Sequence, residues 1–237
     1  MKGKLYGLGV GPGDPELLTI KAHRILQEVD IIYVPVSKTE QDSLALSIVR
    51  RYLPEDKQVV ELHMPMTQNE AILNASWDEG AEQLLTVLQV GKQVAFLTLG
   101  DPSLFSTYTY LMHKIKQKAP EITIETIPGI TSLAAAAARI NLPLAEGEER
   151  LTIVPALRDV EQLRDILAES NNVVLMKVSR QYSEIVRVLE EEGCLTDAIM
   201  VTRCGQPQER IVYDLRQALG EKIDYMSLII VKQGVLR

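Results

Sequence analysis

Aromatic residues are scarce in this 237-residue chain, at 5%, with a single tryptophan, Trp77. That scarcity disfavours a carbohydrate platform or a surface on which bases stack. Basic residues are in deficit as well: 25 Lys and Arg face 32 Asp and Glu, a net charge of -7. A nucleic-acid binder needs the opposite balance to neutralise phosphates, so no nucleic-acid partner is expected. Only two cysteines occur, Cys194 and Cys204, too few for a disulfide framework, which points to a reducing cytoplasm. The three histidines lie far apart and no His/Cys spacing matches a metal site, so no protein-bound metal is expected. No apolar run nears the roughly 20 residues of a spanning helix. Met1-Lys2-Gly3-Lys4 leads into a strand-like run and not into a signal-peptide core, so no membrane association is expected. What the chain has in quantity is core material, 46% hydrophobic, enough for one large domain or two smaller ones.

The first thirty-five residues set the architecture. Leu5–Val10 is a short apolar run, followed by a Gly/Pro turn. From Glu16 to Val29, Leu18, Ala22, Ile25, Leu26 and Val29 recur at three- and four-residue steps, one face of a helix. Asp30–Pro35 then reads as a buried strand. This is a βαβ unit, whose parallel sheet should be covered on both faces. The alternation continues, with helices expected at 43–53, 70–90 and 105–118 and strands at 58–62, 93–99 and 122–127. Beyond Lys116–Pro120, strands are expected at 151–154, 172–178, 196–202, 210–213 and 225–231, with helices at 160–169, 183–192 and 215–219. The pattern predicts two α/β domains, 1–118 and 119–237.

Three small-residue turns stand at strand ends. In Gly7-Leu8-Gly9-Val10-Gly11-Pro12-Gly13-Asp14-Pro15 the dinucleotide fingerprint fails in both registers, and no Gly-Lys-Ser/Thr follows for a phosphate loop. Asp14 is placed to cap a helix with Pro15 in its first turn. Gly100-Asp101-Pro102 repeats the device after the strand at 93–99, with Asp101 expected to cap a helix. Pro128-Gly129-Ile130-Thr131-Ser132 leads into a run of alanines. Each turn alone reads equally well as a capped turn. Three together, at strand C-termini, point to a small-molecule site.

The segment Gly9–Ala22 resembles the N-terminal signature of the tetrapyrrole methylases. Thr98-Leu99-Gly100-Asp101-Pro102, Ile127–Ser132 and Arg203–Glu209 match further family motifs in order, over essentially the whole chain. Gly100–Tyr108 and Met64-Pro65-Met66-Thr67-Gln68, followed by Trp77, look like the branch that methylates C20 of precorrin-2 or cobalt-factor II. Where the family carries Arg-Ala-Ser/Thr, this chain reads Arg203-Cys204-Gly205. The resemblance implies two α/β domains with S-adenosylmethionine in the cleft between them, a homodimer and a role in cobalamin biosynthesis. It also keeps open a methylase of the same fold that acts on a protein, such as diphthine synthase.

Carried over by motif, the resemblance implies that Pro12 lines the cleft floor and that Leu99, Gly100 and Asp101 meet the methionine and ribose of the cofactor. Thr131 and Ser132 would bind its polar end, and Met176, Arg203 and Cys204 would border the adenine. A carboxylate is welcome at a helix start such as Thr131–Ser132, and Asp101 offers a charge partner for a sulfonium. Methyl transfer from a sulfonium to an electron-rich meso carbon asks mainly for proximity and alignment. A base must still remove the C20 proton, with Tyr108, His63 and Glu125 as candidates. His23 and His113 fall in helical segments and read as structural or solvated. Ser106 and Tyr108 are candidate substrate contacts. The substrate is a polycarboxylate, so a local basic lining is expected from Arg50, Arg51, Lys177, Arg180 and Arg203.

Overall fold

The computed structural model describes residues 2–37, 43–157 and 159–234. The chain divides into two units, Met1–Thr131 and Ser132–Arg237. In the first, strands β1 (Lys4–Gly9), β2 (Ile31–Val36), β3 (Gln58–His63), β4 (Val94–Thr98) and β5 (Thr123–Ile127) form one sheet in the order β3-β2-β4-β1-β5. Every pairing is parallel. Helices α1 (Ile20–Glu28), α2 (Leu44–Val49), α3 (Glu70–Gln89) and α4 (Tyr108–Lys118) make the crossovers.

Alternation along the strands divides the core. Val94 and Phe96 of β4 pack with Leu84 and Leu88 of α3 and Leu111 and Ile115 of α4. Ala95 and Leu97 pack on the other face with Ile25 and Leu26 of α1 and Ile48 and Val49 of α2. A strand buried on both faces reads as a continuous apolar run, which is why β2 and β4 are the plainest elements in the sequence.

The expected junction at 118/119 is corrected to 131/132. β5 pairs with β1 along Lys4–Leu8, so residues 119–131 complete the first sheet and do not start the second. Two helix starts are corrected as well. The segment at 16–29 splits: Asp14 caps a short 3-10 turn, Pro15–Leu17, Leu18 is extended, and Thr19 caps α1 through the Ala22 N–H at 3.1 Å. The helix expected from Phe105 begins at Tyr108, because Phe105 itself takes a left-handed φ of 52°.

In the second unit, α5 (Ser132–Arg139) opens the chain. Strands β6 (Leu151–Val154), β7 (Asn172–Met176), β8 (Ala198–Thr202), β9 (Arg210–Val212) and β10 (Ser227–Lys232) follow the order β6-β7-β10-β8-β9. Only β6–β7 is parallel; the last strand enters the middle of the sheet antiparallel to both neighbours. Helices α6 (Gln162–Glu169) and α7 (Tyr182–Glu191) cover one face through Leu163, Ile185 and Leu189. Among the described residues no helix is long and apolar enough to cross a membrane.

Candidate functional site

In the first sheet β1 and β4 are neighbours, but their onward connections leave in opposite directions, β1 towards β2 and β4 towards β5. The C-terminal edge at such a reversal is where open α/β sheets place ligands. Here that edge is built of glycine. Gly11 and Gly100 exchange backbone hydrogen bonds, N–H to O, at 3.3 and 2.8 Å, and both have positive φ, 80° and 69°. A Cβ on Gly129 would lie 2.2 Å from the Gly100 carbonyl oxygen, and one on Gly9 2.6 Å from the Gly129 nitrogen. The loops after β1, β4 and β5 can meet only because these positions carry no side chain. At Gly100, by contrast, a Cβ would meet only the Ile130 carbonyl, at 3.8 Å, so this residue borders open space.

Asp101 locks the arrangement. One carboxylate oxygen accepts the Gly129 N–H at 2.9 Å; the other accepts the Ser103 N–H at 2.8 Å and the Ser103 hydroxyl. Asp101 is 9% exposed, and no helix starts behind it, so the expected cap is a cap on a turn. Pro12 and Gly100 are buried, while Leu99, Thr131 and Ser132 are half-buried.

The other expected residues separate into groups. Tyr108 is 1% exposed and packs its ring against Gly7; its hydroxyl and that of Thr126 share a hydrogen bond at 2.9 Å, and burial raises its pKa. Its expected roles as base and substrate contact are therefore corrected to a core role. Ser106 is 8% exposed, paired with the Thr98 hydroxyl at 2.7 Å, and accepts the Tyr108 N–H, so it anchors the loop instead of meeting substrate. Glu125 is ion-paired to Lys21 and Lys4, which hold its pKa down at about 2, too low for a useful base. His63 is different. It is exposed at the end of β3 and lines a cavity of about 530 Å³ with Ser37, Pro65, Met66, Ile72 and Glu79, on the same C-terminal edge. Sequence reasoning missed this cavity, although Pro65 and Met66 belong to the Pro-Met-Thr element it singled out.

Arg50 and Arg51 lie on a 3-10 turn at the far end of α2, which returns the chain to the start of β3. Arg51 donates to the Tyr52 hydroxyl at 2.7 Å, and Tyr52 meets His23 edge-on. The Tyr52 hydroxyl donates in turn to the Pro15 carbonyl at 3.4 Å, which ties Arg51 to the outer end of the first glycine turn. In the second unit β7 and β8 run in the same direction, so their C-terminal ends share an edge. Met176 ends β7, exposed Lys177 and Arg180 follow it, and Arg203 and buried Cys204 follow the end of β8 at Thr202. Lys177 and Arg203 are both left-handed, with φ of 56° and 49°. Arg203 donates from Nε to Asp224 at 2.6 Å, so its charge is already balanced. Among the described residues no cluster of His, Cys, Asp and Glu could hold a metal ion.

The model of the tetrapyrrole (corrin/porphyrin) methylases matches residues 4–219. The cobalt-precorrin-2 C(20)-methyltransferase of Salmonella typhimurium is 39% identical over 98% of this chain and 98% of its own. The precorrin-2 C(20)-methyltransferase of a Sinorhizobium species is 30% identical over 97% and 95%. Among solved structures, a cobalt precorrin-4 methyltransferase superposes with a TM-score of 0.77 at 23% identity, over 97% of this chain and 94% of that one. A uroporphyrin-III C-methyltransferase from Thermus thermophilus, complexed with S-adenosyl homocysteine, gives 0.68 at 23%, over 97% and 92%.

Proposed function

The chain belongs to the tetrapyrrole (corrin/porphyrin) methylases, and on that premise we propose that it carries a methyl group from S-adenosylmethionine to C20 of cobalt-factor II or cobalt-precorrin-2 in cobalamin biosynthesis. The observation that carries this is the full-length likeness to a cobalt-precorrin-2 C(20)-methyltransferase at 39% identity. The lower identity, 30%, to a relative named for precorrin-2 favours the cobalt-bearing substrate over the metal-free one. The relatives likewise favour a tetrapyrrole over the protein substrate of diphthine synthase. The reading includes a homodimer in the reducing cytoplasm.

The glycine loops fit the cofactor: Gly100 leaves open space where its missing Cβ would project, beside half-buried Leu99 and Thr131. Pro12, Leu99, Gly100 and Thr131, on the turns of the first unit, are the residues we assign to hold it. When bound, S-adenosylmethionine supplies a methyl group on a positively charged sulfur that departs as a neutral thioether. The protein's contribution is placement: rigid loops that set the direction of attack on the meso carbon and exclude water from it. Asp101 acts through the backbone it fixes. His63, whose imidazole lines the cavity, is the residue we assign to receive the C20 proton after transfer. Turnover of cobalt-factor II and metal-free precorrin-2, assayed side by side, tests the assignment.

A further inference from the structure

Among the described residues four non-glycine positions have positive φ: Phe105 at 52°, Asn141 at 52°, Lys177 at 56° and Arg203 at 49°. Asparagine tolerates this region because its amide bonds to local backbone; a phenylalanine has no such compensation. Phe105 is held there by its neighbours. Ser103 is bound to Asp101, and the Ser106 hydroxyl is paired with Thr98 in the core. The loop is therefore fixed on both sides of a strained residue.

Burial does not account for the strain. Phe105 is 49% exposed, whereas the other phenylalanine of the chain, Phe96, is fully buried. A bulky aromatic is thus kept left-handed and half in water, on a rigid loop that starts at Gly100. Strain of this kind is characteristic of sites where a side chain must be aimed.

We propose that Phe105 is a substrate-contact residue, whose phenyl ring packs on the face of the tetrapyrrole macrocycle and sets the position of C20 relative to the methyl donor. This rests on the tetrapyrrole reading above. A planar conjugated macrocycle offers the offset-stacking partner that an aromatic ring prefers, and it covers the apolar surface that the fold leaves open.

Binding is the direct readout, followed through the absorption spectrum of cobalt-factor II titrated with protein in the presence of S-adenosylhomocysteine. Phe105→Gly is expected to melt at or above the wild-type temperature, since glycine accepts the left-handed backbone freely. Its S-adenosylhomocysteine affinity should be unchanged, while its Kd for cobalt-factor II rises about tenfold, the loss of one buried aromatic contact. Phe105→Tyr, which keeps both ring and strain, should bind the macrocycle within about twofold of wild type. A folded Phe105→Gly that binds cobalt-factor II as tightly as wild type overturns the proposal, as does equal weakening in the glycine and tyrosine variants. Failure of the wild-type protein to bind cobalt-factor II at all strikes instead at the tetrapyrrole reading, and at this proposal with it.

Discussion

The carboxylate of Asp101 accepts the backbone N–H of Gly129 at 2.9 Å, joining the loop after β4 to the loop after β5 across the end of β1. A side chain that the sequence suggests as a charge partner for a sulfonium is thus engaged in holding two loops in register. Its exposed area is small, so the contact is charge-assisted and little screened.

Asp101→Ala removes both acceptors at once. The expected loss is about 1–3 kcal/mol of stability, because the Gly129 and Ser103 N–H groups lose their partner. S-adenosylhomocysteine affinity should fall with it, since Gly100 and Thr131 lie on the loops that are released. Denaturant unfolding and calorimetric titration check the two effects separately. Full affinity in a folded variant would remove Asp101 from the account.

Gly129→Ala is expected to be more disruptive than its single methyl suggests. The new Cβ would sit 2.2 Å from the Gly100 carbonyl, which the Gly11 N–H already engages. Backbone cannot yield as a side-chain tip can, so a cost of about 2–4 kcal/mol is expected. Gly147→Ala provides the contrast, because nothing lies within 4 Å of its Cβ position and only its φ of 54° opposes it. Thermal midpoints of the two variants decide the point.

Glu125 gives a pH signature. Lys21 and Lys4 depress its pKa from 4.5 to about 2. A depressed folded pKa contributes stability that is fully present above the unfolded value and is lost as pH falls through the folded one. The wild type should therefore lose this contribution between about pH 4.5 and 2, and Glu125→Gln should show a flatter profile across that window. Its methyltransferase rate at neutral pH should stay near wild type. A large fall in rate would restore Glu125 as a base.

His63 and Tyr108 are separated by one pair of variants. His63→Ala should lower kcat by about 10²-fold, the usual worth of a positioned proton acceptor, with little change in cofactor affinity. Tyr108→Phe should turn over normally and lose about 1 kcal/mol of stability, the value of its hydrogen bond to Thr126. Steady-state kinetics with both substrates varied distinguishes them, and the opposite ranking would reverse the assignment.

Much of the fold is legible in the sequence because its signals are local. The buried strands β2 and β4 are uninterrupted apolar runs, and α3, capped by Asn69 through the Ala71 and Ile72 N–H groups, spans nearly the segment its periodicity marks. What is not legible depends on tertiary context. Nothing in Ser227–Lys232 says that it enters the second sheet between β7 and β8 and antiparallel to both. The domain junction is displaced because the pairing of β5 with β1 spans more than a hundred residues. The three glycine turns expected at strand C-termini do meet at one sheet edge. The inward turn of Tyr108 and the outward turn of Phe105 depend on the backbone at 105–108, which no spacing rule encodes. Net charge was equally silent about where Arg50, Arg51 and Arg203 would sit, since Arg203 is neutralised locally by Asp224.

The most direct test supplies the purified protein with S-adenosylmethionine carrying an isotopically labelled methyl group, together with either cobalt-factor II or metal-free precorrin-2. The account predicts a cobalt-bearing product one methyl group heavier, with the label at C20, formed faster than any metal-free product. A protein that binds S-adenosylhomocysteine yet leaves both macrocycles unmethylated, or that places the label elsewhere on the ring, would contradict it.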